Sequence, residues 1–141
     1  MANLSAAYNS SITNQRAQTA FVVAAGQTFY EGGLVQLNDA GKIIPADATS
    51  AKKIVGQFVR LSPDGLTAEV REGDITLANA LDDDACTQAN VGAAVYASDD
   101  HTVSKNQSDG GSPPNNRPKA GLLVGFTAAG NPIVRCTLET T

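Results

Sequence analysis

Along most of this chain, hydrophobic positions either alternate with polar ones or come in short bursts cut off by turn residues. The clearest case lies at its end. Leu122-Leu123-Val124-Gly125-Phe126 is an apolar burst, and Ile133 to Glu139 alternates, with Val134, Cys136 and Leu138 on one side and Arg135, Thr137 and Glu139 on the other. A period of two belongs to a strand with one dry and one wet face. Between the runs, Gly130-Asn131-Pro132 supplies turn chemistry: Gly and Asn tolerate positive φ, and proline cannot donate to a central ladder. The two runs predict a hairpin.

The same grammar holds upstream. Phe21 to Val23, Gly32 to Leu37, Lys42 to Pro45, Ile54 to Leu61, Leu66 to Arg71, Ile75 to Leu77, Gly92 to Ala97 and Thr102 to Ser104 predict strands. Asn38 to Gly41, Ser62 to Gly65 and Ser98 to His101 predict turns between them. Gly56, inside a strong strand, marks a place where another backbone comes close. A single helical turn is expected, Gln88-Ala89-Asn90 capped by Thr87, with Val91 packed inward and Gly92 ending it. Asn106 to Pro118 has no apolar residue beyond proline, which predicts an exposed, mobile loop that cannot be buried.

The order repeats. Gly32 to Ile43 lies position for position over Gly92 to Val103. Ile54-Val55-Gly56-Gln57-Phe58 resembles Leu123-Val124-Gly125-Phe126, Asp64-Gly65 matches Ala129-Gly130, and Val70-Arg71 matches Val134-Arg135. Each half reads as two hairpins, with the polar loop inserted in the second. The expected architecture is all-β, a small antiparallel β-barrel or sandwich of duplicated hairpins. Residues 1–19 form an extended N-terminal arm, and 20–141 a single β-domain with an exposed polar loop at 106–118. In the arm, Leu4, Tyr8 and Ile12 are the sizeable apolar groups, spaced to share one helix face. Its many Asn, Ser and Thr residues disfavour an isolated helix, so the arm is expected to order against a neighbour.

Composition narrows the function. Aromatics are 5% and Trp is absent, so Val, Leu, Ile and Ala must pack the core, at about 1.5–3 kcal/mol for each large side chain fully buried. The net charge is −4, and the 10 basic residues are scattered in sequence, adjacent only at Lys52-Lys53. That pattern gives no phosphate-tracking stripe and argues against a nucleic-acid partner. No apolar run is long enough to span a membrane, and the start lacks the basic and apolar segments of a secretory signal, so the chain is expected to stay where it is made.

Candidate chemistry is sparse. Cys136 falls on the dry side of the last strand and reads as a buried free thiol, and Cys86 gives no further signal. His101, the sole histidine, sits at a hairpin tip in Asp99-Asp100-His101, where turn preference outweighs a metal site. Asp82-Asp83-Asp84 lacks the alternating ligands and central Gly of a calcium loop and reads as an exposed acidic loop. Arg71-Glu72-Gly73-Asp74 reads as strand and turn. No phosphate-cradling glycine loop or metalloprotease helix motif is present. The sequence predicts no enzyme, no catalytic residue, no metal and no cofactor.

Four strings carry a resemblance. VGAAVYASDDHTVS (Val91 to Ser104), followed by AGLLVGFTAAGNPIVR, is similar to the second half of the small capsid decoration, or cement, proteins of tailed bacteriophages. GGLVQLNDAGKIIPAD and VREGDITL resemble their first half, and the likeness spans Phe21 to Leu138. It implies a protein made in the host cytoplasm and carried in many copies on the outer surface of the virion head. Its partners would be the major capsid protein and itself, commonly as a homotrimer, with neither nucleic acid nor membrane. Leu4, Tyr8 and Ile12 would then contact capsid or a neighbouring decoration subunit. The alternative is a small β-barrel binding module of a phage tail or cell surface, recognising carbohydrate or protein. Against the carbohydrate form, Tyr8, Tyr30 and Tyr96 lie far apart in sequence.

Overall fold

A computed structural model describes residues 19–138. The alternating segments become β1 (Thr19–Val22), β2 (Leu34–Leu37), β3 (Ile43–Pro45), β4 (Ile54–Leu61) and β5 (Thr67–Arg71) in the first half. The second half carries β6 (Gly73–Thr76), β7 (Ala78–Asn79), β8 (Ala94–Ala97), β9 (Thr102–Ser104), β10 (Lys119–Phe126) and β11 (Pro132–Cys136). Thr19, assigned to the arm from sequence, is the first residue of β1. The all-β expectation holds.

Strand order exposes the duplication. The first sheet runs β1-β5-β4-β2-β3 and the second β6-β11-β10-β8-β9-β7. Each is rolled toward closure. In the first, Val23, just past β1, bridges Ile43 in parallel, and Ala24 N donates to Ile43 O at 3.1 Å. In the second, β7 continues β6 after one residue, Leu77, and pairs in parallel with β9 through Ala78–Thr102 and Asn79–Val103. The result is two small rolls side by side, where the sequence suggested one barrel or sandwich.

Register corrects the repeat in one place. Leu34 faces Gln57 and Val35 faces Gly56 before the pairing slips; likewise Ala94 faces Leu122 and Val95 faces Gly121 beside a slip. A second slip falls between Phe58 and Arg60 and, in the other half, between Leu123 and Gly125. Gly56 therefore corresponds to Gly121, not to Gly125. The shared Val-Gly step at Val55-Gly56 and Val124-Gly125 drew the sequence overlay onto the wrong glycine. The reason for glycine is steric in both rolls. Gly56 has φ 148°, and a Cβ there would lie 2.7 Å from Arg71 O; Gly121 has φ 152°, and its Cβ would lie 2.1 Å from Arg135 O. Neither the conformation nor the space admits a side chain.

Each roll encloses matching residues. Val35, Ile43, Val55, Phe58, Ala68 and Val70 fill the first; Val95, Val103, Ala120, Leu123 and Val134 take most of the corresponding places in the second. Leu34 and Ile54 belong to the first half but pack into the second core, which makes them the apolar tie between halves. Leu34 N also donates to Asp100 O at 2.6 Å, joining β2 to the turn between β8 and β9.

Three local expectations fail. Beyond Cys136 the alternation reverses, so Thr137 is buried and Leu138 is exposed. Val91 is exposed as well, because its backbone closes the 3₁₀ turn Gln88–Asn90 while its side chain turns to solvent. Asp82–Asp84 forms a further 3₁₀ turn that has no apolar periodicity to announce it.

Candidate functional site

Leu4, Tyr8 and Ile12 lie outside the described residues. The body to which their segment attaches at Thr19 is described, and the opposite end of β1 is apolar. Val22, Leu61 and Leu66 are exposed there, on β1, β4 and the turn before β5. They share one end of the first sheet, since Val22 pairs with Thr67, Leu61 pairs with Ala68, and Val23 N donates to Leu66 O at 3.0 Å. A cavity of about 390 Å³ opens at the same end, lined by Ala20, Leu61, Pro63 and Ala68 and flanked by the Arg60–Glu69 ion pair.

The His101 tip is built as a turn. Asp99 Oδ1 accepts from His101 N at 2.8 Å and from Thr102 N at 2.7 Å, while His101 Nδ1 lies 2.8 Å from Asp100 Oδ1. The Asp100 hydrogen bond, followed by the charge of Asp99, raises the His101 pKa above its ordinary value. Donor atoms of Asp99, Asp100 and His101 fall within 4.8 Å of one another. The carboxylates are engaged by the turn itself, so the spacing reflects loop chemistry.

Neither thiol faces solvent. Cys136 sits in the second core, where burial pushes its pKa up to about 12. Cys86 is buried as well, and burial raises its pKa too. Raised pKa values suppress the thiolate, and both behave as small hydrophobes.

Sequence reasoning missed the densest polar centre. Arg117 closes the 106–118 segment and is itself buried, as is Pro118. Its Nη2 lies 3.1 Å from Asp84 Oδ2, and its Nη1 donates to Ser104 Oγ at 3.0 Å and to Asn106 O at 3.1 Å. Arg117 and then Asn106 hold the Asp84 carboxyl below its usual pKa. Asp84 is thus a half-buried structural partner, not part of a freely solvated acidic face. Asp109 adds a knot within the loop, accepting from Gly111 N and Asn115 N at 2.9 Å. The segment is mostly exposed, yet its end is anchored by polar chemistry that apolar patterning cannot register.

Beside this centre the fold gathers cations. Arg117 and Lys119 are two residues apart on the approach to β10 and so share a side. Lys119 pairs in register with Tyr96 of β8. Lys52 and Lys53 arrive on the connection before β4, and Gln107 is held by Arg117 N donating to its carbonyl at 2.8 Å. Together they line a depression of about 380 Å³. The basic residues scattered in sequence are not all scattered in space.

No protein-family profile, curated protein or solved structure matches the chain. Its architecture sets its class: a duplicated all-β body with an apolar edge at one end and a cationic depression between the connection before β4 and β10.

Proposed function

We propose that the chain is a structural virion protein that decorates the outer surface of a phage head and stabilises it by bridging capsid subunits. It acts by contact and not by catalysis, with the major capsid protein and further copies of itself as partners, assembled as a homotrimer. The observation that carries the reading is the exposed apolar patch of Val22, Leu61 and Leu66 at one end of the first sheet, the end of β1 away from Thr19, where the arm joins the body. A rigid body with an apolar edge and an attached reach segment suits the joining of neighbours. The decoration-protein resemblance spans both rolls and supports the same reading. Individually weak contacts become tight when linked copies engage together, because later contacts form at high effective concentration. A tail or cell-surface binding module for carbohydrate is favoured less, since Trp is absent and Tyr8, Tyr30 and Tyr96 lie far apart in sequence.

The test is to mix purified protein with expanded empty heads of the cognate phage and measure co-sedimentation. Saturable, stoichiometric attachment is expected, unchanged by chelators or by His101→Ala. Removing residues 1–18, which spares β1, should leave the melting transition intact and weaken attachment or trimer formation. Failure of the full chain to sediment with heads overturns the reading. A truncated chain that attaches fully and stays trimeric removes the arm, with Leu4, Tyr8 and Ile12, from the contact.

A further inference from the structure

We propose that the depression lined by Lys52, Lys53, Tyr96, Gln107, Arg117 and Lys119 binds a doubly charged oxyanion of the phosphate class. The inference stands independently of capsid attachment. It starts from charge compensation. Two of the four cations are already paired, Lys52 with Asp39 at 2.7 Å and Arg117 with Asp84 at 3.1 Å. Lys53 and Lys119 have no ion pair among the described residues, and no acidic side chain lines the depression. Two positive charges are left facing one volume on a chain whose net charge is −4.

A second observation points the same way. Arg117 is buried, and its Nε–H has no hydrogen-bond partner although the other guanidinium nitrogens are engaged. A buried donor left unpaired costs about 1–3 kcal/mol, and an oxyanion in the depression that Arg117 lines places a compensating negative charge near this covered group. The remaining polar groups, the Tyr96 hydroxyl and Gln107 amide, donate to oxygen as well. The volume lies within the range of small-molecule sites, roughly 300–1,000 Å³. A phosphate dianion, with several acceptor oxygens and two charges, matches two uncompensated lysines better than a monoanion does. An extended polyanion fits less well, because the cations converge on one depression and form no stripe.

The experiment titrates the full chain with inorganic phosphate, following backbone amide resonances, with acetate at matched ionic strength as the monoanion arm. Saturable phosphate shifts are expected at Lys53, Tyr96, Gln107 and Lys119, with weaker shifts from acetate. Lys53→Ala and Lys119→Gln should each weaken phosphate binding about tenfold, the loss of one charge-assisted contact. Lys42→Ala, exposed at the β2–β3 turn, should leave it unchanged, and melting curves confirm that each variant is folded. Equal shifts from acetate and phosphate, or phosphate affinity insensitive to both lysine substitutions, would overturn the proposal.

Discussion

Single residues decide this fold most sharply where they have no side chain. At Gly121 a methyl would meet a carbonyl oxygen at 2.1 Å, whereas at Gly125 nothing lies within 4 Å. Gly121→Ala should therefore cost about 3 kcal/mol or more through strain and overpacking, and Gly125→Ala should fall within about 0.5 kcal/mol of neutral. Chemical denaturation of the two variants checks the register directly, because the sequence overlay predicts the opposite order. His101 offers a second residue-scale test. Its folded pKa is raised, so the associated stability is present in full below the unfolded value of about 6.5 and fades as pH rises through the folded value. Asp100→Asn should return the imidazole toward its ordinary pKa in an NMR titration. The stability change should be tenths of a kcal/mol, since the pair is screened by solvent.

Among elements, the 106–118 segment depends on one guanidinium. Arg117→Met keeps much of the stem but removes the contacts to Asp84, Ser104 and Asn106. The expected loss is about 1–3 kcal/mol, held down because Asp84 can rehydrate. Amide exchange should quicken from Asn106 to Asn116 while β4 and β5 keep their protection; unchanged protection in the loop would contradict the anchoring role. Asp84 also sets an acid-side slope. Its depressed pKa contributes stability above its unfolded value, lost as pH falls through the folded one, and the variant should flatten that slope. The contrast with the strands explains what could be read in advance. The strands that bury apolar residues declared themselves by alternation, as in β5 and β11, or as short apolar bursts, as in β2 and β4, down to the correspondence of Val70 with Val134 as repeat positions. Gly56 was legible as a close approach. The Arg117–Asp84 link and the cation cluster were not, because they join residues distant in sequence through charge, which leaves no periodic trace. Nor was the reversal at Thr137 and Leu138, where the ladder ends and alternation loses its template.

At the scale of the whole molecule, the halves meet with a single residue between them: β5 ends at Arg71 and β6 begins at Gly73. That junction also governs where the described body begins and ends. Thr19 pairs with Val70, and Cys136 pairs with Gly73. Two ladder widths and three residues of chain put Thr19 and Cys136 within about 20 Å of each other. A circular permutant follows from this proximity. A flexible Gly/Ser joint of about 12 residues spans such a gap, and new ends placed in the Thr127–Asn131 turn cut no strand. The permuted chain should melt cooperatively near the parent temperature, and a collapsed transition would show that the rolls need their native chain order to fold. The same proximity bears on display: a passenger fused after Leu138 emerges on the side where the N-terminal segment enters. If that segment faces a shell, the passenger crowds the shell, and a cargo meant to face outward belongs in the Thr127–Asn131 turn, at the other end of β11.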